Sequence, residues 1–293
     1  MPAPPLSIAL VTPSFNQASF LEAAMRSVLD QEYPALEYFV ADGGSTDGSA
    51  EVIRRYAARL AGWVSEHDGG QYAAVANGFA RTKGEILGWL NSDDALLPGA
   101  LSVVGEIFAQ FPQIDWLTTT RPLFWDARGR VVRCEALAGF SRDGFFAGEH
   151  LQKDGCFDLG FIQQESTFWR RSLWEKAGGF DPDFPLAGDF ALWARFFAHA
   201  ELFSIDAPLA GFRLHDEQKT GSRFAEYSRE AAAALAKYGG AHGGSVRFFL
   251  RECARRMPAA CWPSLAGAGL MHRTRGVTRD LRRGVWTIAE RFV

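Results

Sequence analysis

A chain of 293 residues with 47% hydrophobic content has enough apolar material for one large domain, or for a domain with an appendage. Its formal net charge of −3 hides an asymmetry: residues 245–293 carry ten Arg against three acids, so the body is acidic and any basic partner surface belongs to the tail. Cys134, Cys156, Cys253 and Cys261 fall at irregular spacings without a C-x-x-C pair, which indicates neither a disulfide framework nor a zinc site and fits a reducing cytoplasm. The N-terminus "MPAPPLSIALVTPS" lacks a basic region and its apolar run is short, so no signal peptide is expected. No window approaches the roughly 18 uncharged apolar residues of a membrane span.

In chain order, "SIALVT" (7–12) reads as a strand. "SFLEAAMRSVLDQ" (19–31) follows with apolar residues at helical spacing, Ser19 and Glu22 having the spacing of a capping box. "LEYFVA" (36–41) is a second strand, closed by the turn-rich "DGGSTDGS". Residues 50–60 read as a helix, "GWVSE" (62–66) as a short strand, 71–83 as a helix and "EILGWLN" (85–91) as a fourth strand. This alternation predicts an α/β fold with a mostly parallel sheet flanked by helices.

In such sheets ligands bind beyond the carboxyl ends of the strands. Those ends carry Thr12-Pro13-Ser14, Asp42-Gly43-Gly44-Ser45, Glu66-His67-Asp68 and Asn91-Ser92-Asp93-Asp94. Ser, Asp and Asn commonly serve as turn and cap residues. That reading suits Asp47 and Ser49. It suits the adjacent carboxylates Asp93 and Asp94 less well, because two like charges abutting an apolar strand repel each other and cost free energy to desolvate. A hard divalent cation such as Mg²⁺ or Mn²⁺, shared with a diphosphate, would hold them together. No G-x-G-x-x-G follows the first strand and no P-loop lysine signature occurs, which weakens dinucleotide and P-loop readings.

The blocks "LVTPSFNQASFLEAAMRSVLDQEYP", "VADGGSTDGS", "GEILGWLNSDDALLPGAL", "STFWRRSLWEKAGGFDPDF", "AGDFALWARF" and "FRLHDEQKT", in this order, resemble the inverting family 2 glycosyltransferases of the Rossmann-like GT-A fold over about residues 6–222. The resemblance implies a catalytic domain over 1–222, with a nucleotide-sugar and metal half (1–100) and an acceptor half (101–222). It implies that Asp42 contacts the nucleotide base, with Thr12 and Pro13 lining the same pocket and Asp68 and Asn77 nearby. Asp94 is expected as the direct metal ligand, Asp93 nearer the ribose or donor sugar, and His215 as completing the metal or diphosphate site. Asp189 matches the catalytic base, while Arg213 and Lys219 are candidates to reach the diphosphate. A divalent cation is the implied cofactor. A nucleotide-sugar, a UDP-sugar in the first instance, is the implied donor, and a hydroxyl of a surface polysaccharide or glycolipid the implied acceptor.

Several positions carry a second reading. Asp189 also suits the N-terminal turn of the helix "FALWARFFAHA", and the two roles are compatible. His215 also reads as a structural histidine, and Arg213 and Lys219 as solvated cations. Trp169, Trp174 and Trp193 could stack on sugar rings, but core packing explains at least two of them better. Gly43 stands where many relatives carry a second Asp, and Ala73 and Ala76 remove polar groups found in relatives near the nucleotide pocket. Those losses motivate a rival reading, a catalytically inactive binding or scaffold protein. A sugar nucleotidyltransferase is disfavoured, because "TPSFNQASF" is no glycine-rich basic loop.

Residues 115–161 show little periodicity and many turns, as acceptor-shaping loops do. Beyond residue 222, "FAEYSREAAAALAKYGG" is helix-like, and arginines then alternate with Leu, Val, Trp and Phe to the end. We read 223–293 as a basic helical C-terminal extension that packs on the domain or a second subunit, or that contacts an anionic membrane at the inner face. No nucleic-acid recognition motif accompanies the arginines.

Overall fold

The computed structural model describes residues 4–151, 160–216, 223–241 and 245–293. Its first hundred residues alternate as expected: β1 (Ile8–Ser14), α1 (Ala18–Leu29), β2 (Leu36–Asp42), α2 (Ser49–Tyr56), β3 (Gly62–Ser65), α3 (Gln71–Ala80) and β4 (Ile86–Trp89). Ile8, Leu10, Leu21, Met25 and Val28 are fully buried, so the apolar periodicity of strand and helix meets in one core layer. The capping box does not form. Glu22 instead accepts from Arg55 and the Tyr56 hydroxyl, and the start of α1 is satisfied from a distance, the Ala18 N–H donating to Asp47 Oδ2 at 2.8 Å.

After β5 (Ala95–Leu96) and α4 (Ala100–Gln110) come β6 (Trp116–Thr119), β7 (Leu123–Trp125), β8 (Val131–Cys134), α5 (Arg142–Phe146), β9 (Phe168–Arg170), α6 (Arg171–Ala177), α7 (Gly188–Phe197), β10 (Leu202–Ile205) and β11 (Ala210–Arg213). The chain then adds α8 (Phe224–Lys237), α9 (Ser245–Arg255), α10 (Trp262–Gly267), β12 (Arg273–Asp280) and β13 (Val285–Phe292). Among the described residues the main sheet runs β13-β12-β10-β6-β9-β4-β1-β2-β3, and β5, β11, β7 and β8 form a smaller second sheet. The main sheet is mostly parallel, with β9 antiparallel between β4 and β6, and β13 antiparallel on β12. Trp89, Trp116 and Trp169 cluster with Trp193 of α7, ring centroids 5.6–6.0 Å apart in stacked and edge-on pairs, so Trp169 and Trp193 belong to the core. Cys134, Cys253 and Cys261 are free thiols. Cys156 lies outside the described residues.

The extension departs from the expected helical form after residue 267. Residues 273–292 are a β-hairpin that extends the main sheet, β12 lying parallel to β10. The reason is visible in the side chains. From Arg273 to Gly276 exposed and buried positions alternate, Arg273 and Arg275 out and Thr274 and Gly276 in, a period of two rather than 3.6, and buried Val277 then interrupts it on the arginines' side. Gly284, at φ 69°, makes the turn, and the Arg282 and Arg283 N–H groups donate to Asp280 Oδ1.

Candidate functional site

The carboxyl ends of β1, β2 and β4 and the loop after β3 open on a cleft of about 1560 Å³. Its lining includes Pro13, Gly43 and Asp68 from the first three strand ends, Asn91 and Asp93 after β4, and Glu165, Phe180, Asp189 and Tyr227 from later in the chain. Two chemically different ends face each other across it.

At the first end, β4 stops at Trp89 and the chain turns through Asn91 and Asp93. A polar network fixes this turn. Gln71 Nε2 donates to Asn91 Oδ1 at 2.8 Å, Asn91 Nδ2 to Gln164 Oε1 at 3.1 Å, and Gln164 Nε2 to the Trp89 carbonyl at 2.5 Å. Behind it, Arg213 is buried, with its Nε donating to the Asp93 carbonyl at 2.6 Å and its backbone N–H to Asp94 Oδ1 at 2.8 Å. The Asp93 carboxylate is left facing the cleft, with His215 Nε2 at 3.0 Å from its Oδ2. Burial pushes the Asp94 carboxyl well above the usual carboxylate range, and the charges of Asp93 and Glu165 push it further.

A hard carboxylate oxygen beside an imidazole nitrogen suits Mn²⁺ or Mg²⁺. Among the described residues no three or more His, Cys, Asp or Glu side chains form a ready cage. A cation held by one or two protein ligands would be completed by phosphate and water. The residues present therefore fit such a group.

At the second end, Asp189 sits in the first turn of α7, among aromatic rings. Its Oδ1 accepts from the Phe190 N–H at 2.8 Å, and the hydroxyls of Tyr72 and Tyr227 lie 3.3 and 3.4 Å away. Burial raises its pKa to about 6, against the opposing pull of those donors. Tyr72 spends its proton mainly on the Leu186 carbonyl at 2.8 Å, which leaves Tyr227 as the adjustable donor. Glu230 of α8 holds the approach to α7, accepting the N–H groups of Leu186 and Ala187 at 2.8 and 2.9 Å. A third carboxyl, Glu165, also lines the cleft; burial raises its pKa to about 8, its own N–H opposing and the charges of Asp93 and Asp189 reinforcing the shift.

The structure thus brings Pro13, Asp68, Asp93 and Asp189 onto one cleft, with His215 behind Asp93. It places the other expected residues elsewhere. Thr12 is buried against the Tyr38 hydroxyl at 2.8 Å. Asp42 is consumed in its own loop, one oxygen accepting from the Ser45 hydroxyl and the other from the Ser45 N–H and the Ser65 hydroxyl. Gly43, next along, lines the cleft instead, and a methyl group there would stand 3.3 Å from Asp68 Oδ2. Asn77 is exposed on α3, accepting from Arg81. Asp94 points inward, and Arg213 is engaged with backbone carbonyls rather than the cleft. Lys219 lies outside the described residues. Trp174 lines the cleft, unlike Trp169 and Trp193.

Sequence reasoning missed Tyr72, Tyr227, Gln164 and Glu165. Tyr227 sits in a helix read as an appendage, with no local signal tying it to Asp189. For Glu165 a signal existed: like Asp93, it is a carboxylate abutting an apolar strand, in "QQESTFWRR".

Residues 9–145 match Glycosyl transferase family 2. An uncharacterized glycosyltransferase of Mycobacterium tuberculosis strain H37Rv is 30% identical over 190 residues, 62% of this chain and 66% of that protein. One from Rickettsia prowazekii is 23% identical over 217 residues, 73% of this chain and 66% of that protein. The chain thus spans just under two thirds of the length of these relatives. A putative teichuronic acid biosynthesis glycosyltransferase of Bacillus subtilis is 31% identical over 90 residues, 30% of this chain and 36% of that protein. Among solved structures, S. aureus TarS 1–349 in complex with UDP-GlcNAc is similar with a TM-score of 0.58 at 17% identity, covering 78% of this chain and 66% of that one. The mannosyltransferase PcManGT from Pyrobaculum calidifontis, in complex with GDP-Man and Mn²⁺, gives 0.55 at 17% identity, covering 92% and 83%. At such identities the likeness establishes the fold, which is GT-A.

Proposed function

Since this chain belongs to glycosyl transferase family 2, we propose that it moves a sugar from a nucleotide diphosphate donor to an acceptor hydroxyl, with a divalent cation and with inversion. A UDP-sugar is the first donor to try. The observation that carries this reading is the pairing of Asp93–His215 and Asp189 on one cleft, each in the environment its task needs.

Asp93 and His215 would hold the cation, with Asp94 and Arg213 fixing the turn behind them. When bound, the cation neutralises charge that builds on the leaving diphosphate. Asp189 takes the proton from the acceptor hydroxyl as that oxygen closes on the anomeric carbon from the face opposite the leaving group. Its desolvation makes it a stronger base than an exposed carboxylate while leaving it ionised above about pH 6. A single base in this role implies inversion. Tyr227 orients and steadies the carboxylate.

The relative named for teichuronic acid biosynthesis supports a saccharide acceptor in surface polysaccharide or glycolipid assembly. No helix among the described residues is long and apolar enough to cross a membrane. Exposed Phe249, Leu250 and Met257, beside Arg256 in the basic tail, support peripheral contact with the inner membrane face. Co-sedimentation with anionic vesicles, abolished by Phe249→Ser and Leu250→Ser together, tests that contact.

The direct test is nucleoside diphosphate release from a panel of sugar nucleotides with Mn²⁺, Mg²⁺ or a chelator. Metal-dependent release from one donor supports the proposal. Ala73 and Ala76, whose methyl groups line the cleft, favour the second reading of an inactive binding protein. Tight nucleotide binding with no turnover of any donor would decide for it.

A further inference from the structure

Glu165 has no task in the mechanism above, yet its placement is costly. It lies in a single 3-10 turn, Gln164–Ser166, immediately before β9. The turn is fixed on both sides: Gln164 bonds the Trp89 carbonyl, and Gln163 accepts from the Ser166 hydroxyl. Glu165 is only 2% exposed, and its Oε1 is fully buried without a hydrogen-bond partner. The charges that act on it come from Asp93 and Asp189, both negative. Arg213, the cation behind the Asp93 turn, donates to the carbonyls of Asp93, Asp126 and Ala127.

Folding alone gives no reason for such a group. A buried carboxyl oxygen without a partner destabilises a fold, and an apolar residue of similar size would pack more favourably. Unsatisfied buried polar atoms in a cleft wall point to a partner that arrives with the ligand. The chemistry of that partner is constrained. Between two carboxylates it cannot be another anion, and the cation position is already supplied at Asp93 and His215. A hydroxyl fits, because a carboxyl can accept its proton or donate to its oxygen. The location, within electrostatic reach of both Asp93 and Asp189, is where the transferred sugar must lie if the glycosyltransferase reading holds.

We propose that Glu165 is a recognition residue for the transferred sugar, hydrogen-bonding a hydroxyl of the hexose held between Asp93 and Asp189. The proposal rests on the glycosyltransferase reading and adds a residue that selects among sugars sharing one nucleotide. A site built to hydrogen-bond a hydroxyl discriminates strongly against a ligand that leaves it unpaired.

The test is calorimetric titration, with Mn²⁺ present, of UDP, UDP-glucose, UDP-galactose, UDP-GlcNAc, GDP and GDP-mannose into wild type, Glu165→Gln and Glu165→Ala. For the sugar nucleotide the wild type prefers, Glu165→Ala should weaken binding about tenfold or more, while the free nucleoside diphosphate stays within about twofold. Glu165→Gln, which keeps a donor and an acceptor, should fall between. Because it removes a desolvated carboxyl, Glu165→Gln should melt at the same or a higher temperature than wild type at pH 7.5. Equal weakening of UDP and UDP-sugar, no weakening of either, or early melting of Glu165→Gln with unchanged affinities would each overturn the proposal. Failure of the wild type to bind any of these nucleotides would overturn the glycosyltransferase reading itself, and with it this assignment.

Discussion

The two ends of the cleft are built by opposite means. Around Asp93, backbone and amide groups do the positioning: Arg213 grips the Asp93 carbonyl, and Gln71, Asn91 and Gln164 form a chain of bonds across the turn. The carboxylate is left free to face the cleft beside His215. Around Asp189, aromatic residues do the positioning, and burial is what raises its pKa to about 6. Two carboxylates of one sequence thus acquire separate characters, one suited to a cation and one to a proton. The difference lies in their neighbours, since the side chains are identical.

Breaking the second end should have the largest effect. Asp189→Asn should cut turnover by about a thousandfold or more while nucleotide affinity stays within about twofold, as steady-state rates and titrations would show. Breaking the first end should change the other quantity. Asp93→Ala and His215→Ala should each weaken metal-dependent UDP binding by at least about 10- to 100-fold, with little metal sensitivity left.

A subtler change sharpens the contrast. With Asp189 as base, kcat/KM should be low at acid pH, rise through about pH 6 as the carboxylate loses its proton, and level off above it. Tyr227→Phe removes a donor that favours the ionised form, so this limb should move up by about half a pH unit. No such movement in Asn91→Ala would show that the two ends are tuned separately. The smallest effect belongs to Glu230→Ala, which frees the Leu186 and Ala187 N–H groups and should cost about 1–2 kcal/mol of stability, read as a lowered Tm.

The same contrast explains how much could be read from the sequence. The Asp93 carboxylate itself follows strand and turn signals contiguous in the chain, although Arg213 and His215 reach it from 120 and 122 positions away, and β1 to β4 with their helices appear where periodicity placed them. What periodicity could not convey was side-chain direction. It left open that Asp42 turns into its own loop and Asp94 inward, leaving Gly43 and Asp93 on the cleft. The Asp189 end is assembled from Tyr72, Asp189 and Tyr227, residues of three helices separated by 117 and 38 positions. Such contacts exist only once the chain is folded. The hairpin of β12 and β13 was legible in principle, because Arg273, Arg275 and Arg279 stand two and four residues apart, a strand spacing that their shared charge masks.

The most direct measurement is UDP titration, with and without Mn²⁺, into wild type, Asp93→Ala and Asp189→Asn, paired with turnover of the preferred sugar nucleotide on the same samples. The account predicts that Asp93→Ala loses metal-dependent binding, whereas Asp189→Asn binds as wild type does and fails only in turnover. Equal loss of binding in both variants, or full turnover by Asp189→Asn, would contradict it.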